Sequence, residues 1–108
     1  MADRTLDLFE QMSVNPNNII HTIVFNACAQ LANERSIRIG KELLNQISHV
    51  LPTDNVLSNS AVHMLMRFRD IQDAERVFEL IKEKTVVTYG AMMQGNDVSS
   101  QLHLEILI

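Results

Sequence analysis

Three apolar helical stripes recur along this chain at nearly equal intervals: Phe9, Leu44 and Phe78 hold equivalent points, 35 and 34 residues apart. A period of roughly 20–50 residues with two amphipathic helices in each is the pattern of an α-solenoid. A single hairpin of that size has too little surface to bury its own stripe, so neighbouring hairpins stack. An ordinary helical bundle can share the helix pattern, but it does not explain a recurring order of residue types. The expected fold is therefore all-α, built of stacked antiparallel helix hairpins. Composition agrees where it bears on the point. Three Gly and two Pro in 108 residues leave few turns for an all-β chain, and 46% hydrophobic with only 5% aromatic suits helices packed with Leu, Ile, Val and Met.

Taken in order, residues 4–14 read as a helix whose apolar side includes Leu8, Phe9 and Met12. Val14 to Asn18 is a connector, with Pro16 disfavouring helix at Asn15 and Asn17 or Asn18 placed to cap the next helix. Ile20, Ile23, Val24, Ala27, Cys28 and Leu31 form a well-spaced helical stripe. Ala32 to Ser36 joins it to a second helix with Ile37, Gly40, Leu43, Leu44 and Ile47 inward, Gly40 letting the paired helices approach closely. His49 to Asp54 is a loop containing Pro52. Val56, Leu57, Ala61, Leu65 and Phe68 then share a helical face, and Ala74, Val77, Phe78 and Ile81 another. Asp70 between them is an N-cap, with Asp73 completing a capping-box-like signature. The core expected to be largely buried is Ile23, Val24, Leu43, Leu44, Val62, Leu65, Val77 and Phe78.

The order of residue types resembles the pentatricopeptide repeat family. Its short subtype places Asn-x-Leu-Ile-Asp-Met-Tyr on the first helix and Asp-Ala-x-x-Val-Phe on the second. The counterparts are Asn59-Ser60-Ala61-Val62-His63-Met64-Leu65 and Asp73-Ala74-Glu75-Arg76-Val77-Phe78. The next repeat opens with Val86-Val87-Thr88-Tyr89-Gly90-Ala91-Met92-Met93. Leu8-Phe9-Glu10-Gln11-Met12 is close to the family's Leu-Phe-Glu-x-Met, and Phe25 to Leu31 with Gly40-Lys41 resembles the long subtype. The resemblance divides the chain into the second helix of a truncated repeat (4–14), a long-type repeat (18–53), a short-type repeat (54–85), the start of a further repeat (86–95) and a divergent tail (96–108). It implies a fragment of a longer solenoid.

The resemblance also implies a function, sequence-specific binding of single-stranded RNA, one base per repeat read by two or three side chains. Carried over by register, the edge-reading pairs are Thr22 with Asp54, and Asn59 with Thr85, while Ile19, Val56 and Val87 pack on base faces. Gly90 holds the next edge-reading position, where a polar residue is usual, so the third repeat should discriminate poorly. Arg69 stands at a turn position that is usually Gly, and Asn33-Glu34-Arg35 looks like an insertion in its connector. By resemblance the parent protein works in organellar RNA processing, editing or modification, in the mitochondrion, possible partners being other RNA-processing proteins. The bland reading of Thr22, Asn59 and Asp54 is that they cap helices or face water.

Other classes are disfavoured. His21, His49, His63 and His103 lack short metal-ligand spacing, and Ser58 and Ser60 have no placed His–Asp partner. A cytidine-deaminase-like domain, which some relatives carry, would need His-x-Glu and Cys-x-x-Cys, and neither is here. The chain reads as a binding module, not an enzyme, with no cofactor, metal or small-molecule substrate implied. Lone Cys28 rules out an internal disulfide and reads as a core residue, and no apolar run approaches the ~18 residues of a membrane span. A net charge of −4 argues mildly against strong, autonomous nucleic-acid binding. The rival reading is a tetratricopeptide-like scaffold for a peptide or protein. The missing Trp-x-x-Leu-Gly argues against it; the acidic charge and a Met-rich surface argue for it.

Overall fold

The computed structural model describes residues 2–12 and 17–93. Six α-helices stand among them: α1 (Ala2–Glu10), α2 (Asn18–Leu31), α3 (Glu34–Ile47), α4 (Asn55–Arg67), α5 (Ile71–Leu80) and α6 (Val86–Met93), with a 3₁₀ helix at Ser48–Thr53. Helix α2 pairs with α3 and α4 with α5, and α4 packs against α2 on one side and α6 on the other. The first helices α2, α4 and α6 thus form one layer and α1, α3 and α5 the other, an α-solenoid 46 × 27 × 19 Å in extent.

The core runs between the layers. Val24, Leu43, Leu44, Val62, Leu65, Val77 and Phe78 are buried as their spacing requires. Leu57, Met64, Met66 and Ile81 join them with almost no exposure. A fully buried side chain of this size contributes about 1.5–3 kcal/mol. Ile23 departs from expectation: it is 50% exposed. The stripe on α2 is wider than one contact face, and the Ile23 edge points out of the first layer. Leu8 is likewise 56% exposed, while Leu6 turns into the core and Phe9 is half-buried. That first helix spans Ala2–Glu10 and ends before 14, with Gln11 a turn and Met12 irregular; the Val14–Pro16 connector and the 96–108 tail lie outside the described residues. Met64, Met66 and Met92 are buried, which removes the Met-rich surface offered for a scaffold.

The ends of the helices carry the expected chemistry with two changes. Asp70 caps α5, its Oδ1 accepting from the Asp73 backbone N–H at 3.2 Å, and Asn17 caps α2 by accepting from Ile20 N–H at 3.0 Å. The complete capping box is elsewhere. Asn33 Oδ1 accepts from Ser36 N–H and Ser36 Oγ accepts from Asn33 N–H, both at 2.8 Å. Asn33-Glu34-Arg35 is therefore the cap and first turn of α3, not an insertion, and the link from α2 is only Ala32 and Asn33. The stretch read as a loop around Pro52 is the 3₁₀ helix, held by the Ser58 hydroxyl donating to the Leu51 carbonyl.

Both hairpin turns pass through left-handed backbone without glycine: Ala32 has φ 44° and Arg69 φ 63°. The latter explains why glycine is usual at that point of the pattern. Gly40 answers a different need. A Cβ there would lie 2.5 Å from Met64 Sδ and 3.4 Å from Phe68 Cε2. The close approach it permits is to α4 of the following hairpin, not to its own partner α2.

Ion pairs tie the second layer together. Arg35 on α3 reaches Asp7 and Glu10 on α1, both at 2.6 Å, and Lys41 pairs with Asp70 at the start of α5 and lies 3.5 Å from Asp73. Burial pushes the Asp70 carboxyl up, but hydrogen bonds from Lys41 and the Asp73 N–H outweigh it and hold it below the usual carboxylate range.

Candidate nucleic-acid interface

The three aliphatic positions singled out by register share one environment. Ile19 is 71% exposed, Val56 66% and Val87 65%. Each stands near the N-terminal end of a first-layer helix, where burying it would have been favourable had packing been its role. Val56 and Val87 flank a groove of about 510 Å³ between α4 and α6. Asn59, Gly90, His63 and Asn26 line it with them. The structure thus gathers Val56, Asn59, Val87 and Gly90 into one site. Ile19, Thr22 and Asp54 lie outside that groove, at the N-terminal ends of α2 and α4.

Asn59 and Thr85 are joined through the buried Thr88. Thr88 Oγ1 accepts from Thr85 N–H at 3.1 Å and donates to Asn59 Oδ1 at 2.7 Å. With its carbonyl oxygen taken by Thr88, the Asn59 amide has its Nδ2 to offer the groove. Such a donor suits the O2 acceptor of a pyrimidine.

Thr22 and Asp54 are likewise linked through a third residue. Asn18 Nδ2 donates to Asp54 Oδ2 at 3.0 Å, and Thr22 Oγ1 donates to the Asn18 carbonyl at 2.9 Å. Asp54 also caps α4, Oδ1 accepting from Leu57 N–H at 3.1 Å. Capping and exposure to a ligand are compatible, because a carboxylate has about four acceptor sites and two are filled. Asn18 and Thr88 were missed from sequence. A signal for Asn18 existed: Asn55 opens the next first helix in the same register and donates to the Glu83 carbonyl at 3.3 Å. Gly90 has nothing within 4 Å of where a Cβ would be, so the groove is open beside it.

Charge is segregated between the layers. Helices α2, α4 and α6 carry a single charged side chain, Arg67, and all other charged helix residues belong to α1, α3 and α5. Among the described helices the acidic residues therefore fall on the second layer, while Asp54 caps α4 in the first. Cys28 is buried, and burial pushes its thiol up to about 11, which fits a core residue and not a nucleophile. Among the described residues no three His, Cys, Asp or Glu converge as a metal site would require, and no helix is long and apolar enough to cross a membrane.

The chain is similar in sequence to curated proteins. A chloroplastic pentatricopeptide repeat-containing protein of Arabidopsis thaliana is 30% identical over 88% of this chain. A second from that plant is 31% identical over 91% of it. The chain belongs to the pentatricopeptide repeat family. A mitochondrial pentatricopeptide repeat-containing protein of Arabidopsis thaliana is 25% identical over 94% of the chain. The chain spans only 11%, 16% and 15% of the lengths of these three relatives. No family profile matches the chain, and no solved structure matches it.

Proposed function

We propose that this pentatricopeptide repeat chain binds single-stranded RNA along its first-helix layer, sequence-selectively, in organellar RNA processing, editing or modification. The observation that carries the reading is the shared exposure of Ile19, Val56 and Val87 in register, two of them flanking the groove that Asn59 lines. Unstacked bases take apolar side chains on their faces and hydrogen bonds on their edges, and this surface offers both. Its role is binding; the chemistry of processing or modification belongs to partner proteins. The compartment is an organelle, with mitochondrion and chloroplast both represented among relatives by name.

Within this reading Thr22 with Asp54 selects guanine and Asn59 with Thr85 a pyrimidine. The Asp54 carboxylate offers only acceptors, and the guanine edge presents two donors, N1–H and the N2 amino group. Adenine would meet it with the N1 acceptor. The test measures fluorescence anisotropy of the full chain with four RNAs that differ only at the base facing this pair. Guanine should lead by about 1 kcal/mol, the low end for a good base contact. Asp54→Asn should move preference towards adenine. Equal binding of all four, unchanged by Asp54→Asn, removes the base-reading role of this pair.

A further inference from the structure

Thr88 lies where α6 packs on α4, fully buried, and its hydroxyl has partners on both helices. On its own side it accepts from Thr85 N–H at 3.1 Å, while Thr85 Oγ1 accepts from Thr88 N–H at 3.4 Å, which closes the first turn of α6. That reciprocal cap alone would give the buried hydroxyl a partner. The bond across to Asn59 Oδ1 at 2.7 Å is additional to it and joins two hairpins. The other acceptor in reach of the hydroxyl proton, Thr85 Oγ1, is at 3.4 Å. The shorter contact has the length of an O–H···O bond, where an amide N–H would stand about 2.9–3.0 Å off, so the proton goes to Asn59.

Register sets Thr88 apart. Val87 answers to Val56 and Ile19, so Thr88 answers to Leu57 and Ile20, neither of which carries a hydroxyl. The pair of Thr22 and Asp54 takes its link instead from Asn18, on the same helix as Thr22. Of the two pairs, that of Asn59 and Thr85 is the one held from the following helix.

We propose that Thr88 is a positioning residue for base selection: by holding the Asn59 carbonyl oxygen it turns the amide so that Nδ2 meets the O2 acceptor of a pyrimidine. The assignment rests on the base-reading role of Asn59 proposed above. An asparagine amide has two ends of nearly the same shape and opposite hydrogen-bonding sense. Released, it turns either end to the groove, and with its oxygen outward it accepts from the N6 amino group of adenine or the N1–H of guanine. Held by Thr88, it offers the donor alone. The selectivity of α4 therefore depends on the docking of α6.

The experiment measures fluorescence anisotropy of the full chain with four RNAs that differ only at the base facing Asn59. The wild type should favour uridine and cytidine over the purines about threefold, the order that one hydrogen bond contributes. Thr88→Val, close in shape but without the hydroxyl, should bring that ratio to about one, whereas Thr88→Ser, which keeps Oγ, should retain it. A loss of packing alone would weaken all four RNAs alike and leave the ratio in place. Asn59→Ala should also abolish the ratio, and adding Thr88→Val to it should change the ratio no further. Circular dichroism establishes that each variant is folded. A second measurement needs no variant. In the NMR spectrum of the wild type, the Asn59 side-chain amide protons should exchange quickly with water in the free chain and slowly with the uridine RNA bound. Protection already present in the free chain would place Nδ2 on Thr88 and overturn the assignment, as would a folded Thr88→Val that keeps the preference; either leaves RNA binding intact. Equal binding of all four RNAs by the wild type, or a preference that Asn59→Ala preserves, overturns the base-reading role of Asn59 and the assignment with it. Absence of binding overturns both and the RNA-binding reading as well.

Discussion

At the residue scale, several positions serve fold and candidate site together, and substitutions can separate the two. Asp54→Asn keeps an N-cap oxygen for Leu57 N–H, and rotation of the Asn18 amide can restore the bond between the side chains. Its stability should fall within about 0.5 kcal/mol of wild type, while Asp54→Ala loses both bonds and should cost about 1–2 kcal/mol in urea denaturation. The same variants then report on RNA selectivity with the fold controlled. Ala32 and Arg69 give the opposite test. Each holds a left-handed backbone that costs an L-residue about 1–2 kcal/mol, partly offset by the lower entropy of its unfolded chain. Ala32→Gly and Arg69→Gly should each stabilise by about 0.5–1 kcal/mol, and a fall in the unfolding midpoint for either would show the strain is absent. His21 supplies a pH response of its own. It is buried, its Nδ1 has no hydrogen-bond partner, and burial lowers its pKa. Its folded value lies below the unfolded one, so its contribution is complete above about pH 6.5 and lost as pH falls towards the folded value. The thermal midpoint should therefore drop between pH 7 and pH 5, and less so in His21→Leu.

At the element scale, what the sequence disclosed and what it concealed have separate causes. Val24, Cys28, Val77 and Phe78 could be read as core because helical period alone decides which residues share a face. Ile23 could not be placed that way. A first-layer helix packs on its own partner and on neighbouring first helices, so its apolar positions occupy most of its circumference, and period does not say which edge meets solvent. The caps show the same limit. Asp70 stood directly before an apolar stripe and was legible; Asn33 did too, but an expected connector length made it look like an insertion. Thr88 was hidden for a different reason: its bond to Asn59 spans two hairpins, and only their stacking distance creates it. Gly40 was legible as a point of close approach, though its neighbour was not. Because Met64 Sδ is near the flexible end of its side chain, Gly40→Ala can be accommodated by a rotamer change and gains helix propensity. It should lie within about 1 kcal/mol of wild type. Gly40→Val adds two methyl groups and crowds Phe68 as well, and should cost about 2–3 kcal/mol, measured by chemical denaturation. Equal, small effects from both would mean that α3 and α4 are loosely packed.

At the scale of the whole molecule, the division of charge between layers reconciles an acidic chain with a nucleic-acid partner. Net charge describes the far field, whereas a bound strand meets the local surface. Among the described helices the acids lie on the second layer, where Arg35 and Lys41 engage several of them. The groove between α4 and α6 is lined without Asp, Glu, Lys or Arg, and Arg67 lines the cleft between α2 and α4. Stacking and edge contacts must then supply most of the affinity, and few counterions are released on binding. For a single strand, each neutralised phosphate contributes about −0.7 to the slope of log K against log salt. Arg67 alone sets an expected slope of about −0.7. The long-range acidity makes it shallower, never steeper, because it repels the strand at low salt. Affinity should accordingly be weak and change little between 50 and 200 mM salt at pH 8, a factor of about three for one phosphate. Anisotropy titrations at four salt concentrations check this. A slope steeper than about −3 at pH 8 would require at least four phosphate contacts. The second layer, with Arg38, Arg76 and their neighbours, would then be the RNA-facing side, and the groove assignment would fall.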